Sequence, residues 1–116
     1  MTPEPALLPG DVVVVPFPYS DQSAGKLRPA LVVSNETYNS SSLDVVLCGM
    51  TSNLADSSFS VFVGPQDMEA GKLITPSRVK VGRLLAVDKS IIRKRVGRVN
   101  ARVFAHVMRE FEAIFT

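Results

Sequence analysis

The chain has 116 residues, 46% of them hydrophobic and 21% charged, which is the size and make-up of one compact domain spanning residues 1–116. A single cysteine, Cys48, excludes a disulfide framework and a Cys-based zinc cluster, and no apolar run approaches the roughly 18 residues of a membrane span. The net charge of +2 hides an asymmetry: residues 1–71 carry two basic and eight acidic side chains, residues 72–116 eleven and three, which hints at a polyanionic partner.

Residues 1–9, with Pro3, Pro5 and Pro9, read as a flexible leader. They have neither a basic start nor a long apolar core, so the expected location is the cytoplasm. Gly10-Asp11 then opens Val12-Val13-Val14-Val15-Pro16-Phe17-Pro18, a β-branched run bounded by glycine and proline, which predicts a buried strand. Pro16 and Pro18 lack an N–H, so the chain should leave the sheet there or follow an edge. Tyr19 to Lys26 has the composition of a mobile loop, and Leu27-Arg28-Pro29 leads into a second strand over Ala30 to Ser34. Asn39 to Ser42 is expected to be a turn, Leu43 to Met50 a central strand ending at Thr51-Ser52-Asn53, and Phe59 to Val63 a short strand closed by Gly64-Pro65. Ser77 to Val87 is β-prone but broken by Gly82, which predicts a bulge or a close backbone approach. Asn100 is placed to cap a helix whose apolar positions Phe104, Val107, Met108, Phe111, Ile114 and Phe115 recur at spacings of three and four. Five or six short strands and a terminal amphipathic helix predict a small curled β-barrel with helix cover. So small a core would gain from dimerisation.

The sequence has one histidine, His106, and no metal-ligand spacing, phosphate-binding glycine loop or nucleophile elbow. Metal-assisted and triad hydrolysis are therefore not expected. His106 falls out of register with the helix stripe and reads as a solvent-side residue; Cys48, in an apolar run, reads as a buried inert thiol. Arg28 stands between a polar loop and a strand, before a proline that holds its backbone extended. Its planar, permanently charged fork matches phosphate oxygens. Thr51 and Ser52 offer hydroxyls at the polar end of a strand. Arg93-Lys94-Arg95, with Arg98 and Arg102, reads as a solvated face or as an attraction for phosphate backbone.

Gly10 to Pro18, followed by Asp21 and then Lys26-Leu27-Arg28-Pro29-Ala30-Leu31-Val32-Val33-Ser34, resembles the N-terminal signature of the MazF/PemK toxins of type II toxin–antitoxin systems. The resemblance is strong over residues 10–35, weaker around Cys48 to Ser52 and Ser77 to Lys89, and faint elsewhere. It implies a mainly β fold with α, an SH3-like barrel of about five to six antiparallel strands with a C-terminal helix. It further implies a homodimer, a cognate antitoxin partner, and a metal- and cofactor-independent endoribonuclease acting on single-stranded RNA, commonly mRNA. Carried over by position, the family's arginine before proline is Arg28 and its threonine after the central strand is Thr51.

The implied chemistry is attack by the substrate's 2′-OH on the adjacent phosphorus, expelling the 5′-oxygen and leaving a 2′,3′-cyclic phosphate. It needs a base, charge stabilisation on the phosphorane, and a proton for the leaving group. Arg28 suits the second service, and Thr51 can donate a hydrogen bond to a non-bridging oxygen. Some members place a glutamate in the loop before the arginine; here the loop offers Gln22 and Ser23, with Asp21 as the candidate base. Others place an acid where this chain has Gly82. The RNA-binding candidates are Tyr19, Gln22, Lys26, Ser52, Lys80 and Arg83, with Tyr19 able to stack on a base. The alternatives are a toxin of the same fold that inhibits DNA gyrase without cutting RNA, and an RNA-binding module without activity.

Overall fold

The computed structural model describes residues 6–16, 26–55, 57–73 and 75–116. Seven strands, β1 (Asp11–Pro16), β2 (Leu27–Val32), β3 (Asp44–Thr51), β4 (Ser60–Val63), β5 (Met68–Gly71), β6 (Ser77–Asp88) and β7 (Lys94–Val99), pair antiparallel in the order β4-β6-β3-β2-β1-β7-β5. Two helices, α1 (Glu36–Ser41) and α2 (Ala101–Ala113), and two 3-10 turns, Pro65–Asp67 and Lys89–Ile91, complete the fold.

Both faces of the sheet are covered, and this explains why β1 is an unbroken valine run rather than an alternation. Val12 joins Leu31, Cys48, Met50, Val61, Val79 and Val99 in an inner core, which Val103 and Val107 of α2 close. Val61 near one end of the sheet and Val99 near the other share that core, so the sheet is curled. Val13 and Val15 face the other way, into a second cluster with Ala30, Val32, Val45, Leu47 and Val87, flanked by Leu7, Ile91 and Ile92.

Gly10 has φ +95, a left-handed backbone that favours glycine. From there its N–H donates to Val32 O and its carbonyl accepts from Val99 N, tying β2 to β7. Asn100 caps α2 as expected, its Oδ1 accepting from Val103 N at 2.9 Å. Gly82 lies where the β3–β6 register jumps from Cys48↔Leu84 to Met50↔Val79, so the anticipated irregularity is a bulge.

Three segments differ from expectation. Asn39 to Ser41 belong to α1 rather than to a turn, because Asn35 Oδ1 accepts from Tyr38 N and starts a short helix just upstream. Met68–Gly71 and Lys94–Val99 are strands, raising the count from five or six to seven. The basic string owes its strand to pairing on both sides: β7 lies between β1 and β5, and local charge does not prevent it.

Candidate active site

Pro29 has no N–H to donate, and the β2–β3 ladder stops at the next residue, with Ala30↔Gly49 as its last pair. Beyond that point the space between the strands is a groove of about 360 Å³, with Lys26, Leu27, Arg28 and Pro29 on one bank and Met50, Thr51 and Ser52 on the other. Leu73, Thr75 and Ser77 line its far side. The polar end of β3 and the entry to β2 thus meet at one place, although 22 positions separate Arg28 from Met50 in the chain. None of the described lining residues is acidic or a histidine.

Arg28 is half-buried and sits opposite Val15 in the β1–β2 register. Arg28 stands two residues before Ala30 and Thr51 two residues after Gly49, the last pair of the β2–β3 ladder, and both line the groove where the strands part. Thr51 is also half-buried, and its Oγ1 accepts from Asn53 N at 3.1 Å. That bond occupies an acceptor position on the hydroxyl. Among the described residues the Thr51 O–H itself has no acceptor, so it is available to donate to a ligand oxygen. Asn53 Oδ1 in turn accepts from Ala55 N at 3.1 Å, which shapes the turn after β3. Lys26 and Ser52 are exposed at the groove's rim.

Four of the residues singled out from sequence, Arg28, Thr51, Lys26 and Ser52, are therefore brought together. Lys80 and Arg83 are not among them. They line a separate groove of about 390 Å³ with Ser58, Phe59, Gly82 and Ile114, further along β6 than Ser77, which reaches the Arg28 groove. Asp21, Tyr19 and Gln22 lie outside the described residues.

Sequence reading missed Arg78. It is the direct cross-strand partner of Thr51 in the β3–β6 ladder, and directly opposed residues share a face. The signal was present: Arg78 and Lys80 alternate with the core residues Val79 and Val81, a period of two that sends the cations to the face opposite the core.

Among the described residues no group of three His, Cys, Asp or Glu side chains is placed to hold a metal ion. Burial pushes the Cys48 thiol up to about 12, so it is no nucleophile at neutral pH. His106 is exposed on α2. The basic string is largely engaged with carboxylates: Arg95 and Arg98 both reach Asp11, Arg98 lies 3.6 Å from Glu69, and Arg102 lies 3.7 Å from Asp67. No helix among the described residues is long and apolar enough to cross a membrane.

The family model of the PemK-like, MazF-like toxins of type II toxin–antitoxin systems matches residues 8–115. No curated protein sequence matches the chain. Among solved structures, an endoribonuclease in complex with its cognate antitoxin from a mycobacterial species is 22% identical with a TM-score of 0.78, covering 95% of each chain. MazF from Deinococcus radiodurans is 23% identical with a TM-score of 0.78, over 97% of this chain and 98% of that one. A MazE–MazF structure from the same organism is 20% identical with a TM-score of 0.74, over 97% of both chains. These likenesses establish the fold, and the family model, matching nearly the whole chain, establishes the kinship: the chain belongs to the PemK-like, MazF-like toxin family of type II toxin–antitoxin systems.

Proposed function

We propose that this toxin is a metal-independent endoribonuclease that cuts single-stranded RNA in the groove between β2 and β3. The observation that carries the reading is the convergence of Arg28 and Thr51 on that groove from separate strands. A guanidinium and a hydroxyl donor are the two groups that a pentacoordinate phosphorane needs around its charged oxygens. In the proposed step the substrate's 2′-oxygen bonds to phosphorus as its proton passes to a base. The bond from phosphorus to the 5′-oxygen breaks, and the departing oxygen takes up a proton. The products are a 2′,3′-cyclic phosphate and a 5′-OH end. Asp21 is the proposed base. Single strands suit this chemistry because in-line attack needs a backbone free of A-form geometry.

The proposed setting is a cytoplasmic homodimer silenced by a cognate antitoxin. The mycobacterial endoribonuclease was solved with its cognate antitoxin, and the Deinococcus MazF with MazE. The test is to incubate the purified protein with a long single-stranded RNA in EDTA and sequence the ends. Discrete cuts with 5′-OH ends are expected, and Arg28→Ala should lower the rate by roughly a hundredfold or more while leaving the fold intact, as loss of a preorganised charge stabiliser does. Intact RNA together with inhibited DNA supercoiling would replace this reading with that of a gyrase inhibitor. Salt-sensitive RNA retention without new ends would reduce it to an RNA-binding module.

A further inference from the structure

One strand beyond the groove, two cations are locked in place by hydroxyls. Arg78 Nε donates to Ser60 Oγ at 2.9 Å, and Lys80 Nζ donates to Ser57 Oγ at 2.9 Å. The Ser60 hydroxyl donates to Ser57 O at 2.7 Å, so in its 3.1 Å contact with the Ser57 hydroxyl it is the acceptor. Both serine hydroxyl protons have a destination, so each hydroxyl oxygen is held as an acceptor for one of the two cations. Lys80 meets only a neutral partner: no carboxylate among the described residues pairs with it, whereas Arg95, Arg98 and Arg102 on and after β7 all pair with acids.

The register aligns this network with the proposed reaction site. Thr51 faces Arg78 across β3–β6, and Arg78 faces Phe62 across β6–β4. Directly opposed residues share a face, so a row runs from Thr51 through Arg78 to Phe62, with Lys80 and Ser60 forming the next rung. Phe62 is 41% exposed at the edge strand of the sheet, an aromatic ring left towards solvent beside a guanidinium. Cations that follow a backbone, interleaved with an aromatic ring for a base, are the physical make-up of a single-strand binding surface.

We propose that Arg78, Lys80 and Phe62 form a subsite for the nucleotide adjoining the scissile phosphate, with the phosphate on Arg78 and Lys80 and the base on Phe62. The inference rests on the proposed cleavage of single-stranded RNA. Because Arg78 is drawn towards Ser60 on β4, away from Thr51 on β3, the subsite holds substrate rather than touching the reacting phosphorus. Ser57 and Ser60 act as positioning residues.

The test uses an oligoribonucleotide built round a site that the wild-type protein cuts, and for binding the same oligomer with one 2′-deoxy substitution that blocks attack. Arg78→Gln, Lys80→Gln and Phe62→Ala, each shown by circular dichroism and melting to fold, should raise KM by roughly tenfold, the scale of one lost stacking contact, with a much smaller change in kcat. The salt slope of log binding constant should fall by about 0.7 for each lost phosphate contact in Arg78→Gln and Lys80→Gln, and stay unchanged in Phe62→Ala. Arg78→Lys should recover part of the lost affinity. Arg109→Gln, an exposed cation on α2, controls for bulk charge. Unchanged KM and salt slopes in all three variants would overturn the subsite even if the wild type cuts RNA. A loss confined to kcat would overturn it too, by moving Arg78 onto the reacting phosphate. If the wild type cuts nothing, the nuclease reading fails, and the salt slopes measured on uncut single-stranded RNA still decide the subsite.

Discussion

The Asp11 carboxylate, 1% exposed, accepts a hydrogen bond from Arg98 Nε at 2.9 Å and lies 3.3 Å from Arg95 Nε. It also accepts from Leu8 N at 2.9 Å. One buried acid at the start of β1 thus fastens the preceding segment and the paired strand β7. The hydrogen bond from Arg98 pushes that guanidinium above its ordinary pKa against a smaller opposing cost of burial, so it stays charged at neutral pH. Asp11→Ala removes one shared carboxylate from the Leu8 amide and from two partly buried guanidinium groups, of which Arg98 keeps Glu69 and Arg95 keeps Ala6 O. A loss of about 3 kcal/mol is expected, at the low end for broken buried pairs because the arginines keep some solvent. Urea unfolding at neutral pH measures it, and a loss under about 1 kcal/mol would mean that water replaces the carboxylate.

Gly97 and Gly71 meet backbone to backbone where β5 joins β7. A Cβ on Gly97 would stand 2.2 Å from Ala70 O, and one on Gly71, itself at φ +70, would stand 2.2 Å from Val96 O. No side-chain rearrangement relieves a clash with backbone, so Gly97→Ala should cost more than about 2 kcal/mol and detach β5. Gly82 is the internal control: its added Cβ would find nothing nearer than Ile114 Cδ1 at 4.0 Å. Gly82→Ala should leave the melting temperature almost unchanged.

That contrast marks what sequence could and could not convey. Gly82 and Gly97 look alike in sequence, each between a valine and an arginine, yet one sits in a bulge and the other at a backbone contact with Gly71, 26 residues earlier. The strands from Val12, Ala30, Leu43 and Ser77 were legible because β-branched runs bounded by glycine, proline and polar turns report local preference. β7 was not, because its pattern Lys94-Arg95-Val96-Gly97-Arg98-Val99 is dominated by charges whose acids, Asp11 and Glu69, come from elsewhere. At the site, a proline and a strand end marked Arg28 and Thr51 as local features, and the family resemblance singled them out as site candidates. The pairing of Thr51 with Arg78 needed the register between β3 and β6, which no local pattern encodes.

Asp88 gives a pH-dependent contribution whose direction is set by its surroundings. Its Oδ1 accepts from Ser90 N at 2.8 Å at the head of the turn Lys89–Ile91. The Ser90 amide, then the Ser90 hydroxyl, and less strongly the charge of Lys89 hold the carboxyl below its ordinary value. A depressed folded-state pKa means stability present above the ordinary carboxylate value and lost as pH falls below about 4. The turn delivers Ile91 and Ile92 to the outer core, so the local contribution should be felt globally. Asp88→Ala should therefore unfold at lower urea than wild type at pH 7, and the two midpoints should draw together as the pH falls through the acid range below the ordinary carboxylate value. Midpoints that stay equally far apart across that fall would show that the carboxylate's charge plays no part.

Thr51 separates the donor role of its hydroxyl from its size. Oγ1 is already accepting from Asn53 N, which leaves the O–H to donate elsewhere, and under the proposed cleavage it would donate to a phosphorane oxygen. Thr51→Ser keeps both the donor and the acceptor and should retain most of the cleavage rate. Thr51→Val keeps the shape and removes the hydroxyl, and should lower kcat by roughly a hundredfold, the scale of one lost donor to a developing oxyanion. Val also leaves the exposed Asn53 amide without its partner, but water can replace that bond, so the melting temperature should move little. Initial rates at saturating RNA, read beside thermal melts, distinguish the two effects. Equal rates for Thr51→Val and wild type would remove Thr51 from the chemistry and leave Arg28 as the principal charge stabiliser in the groove.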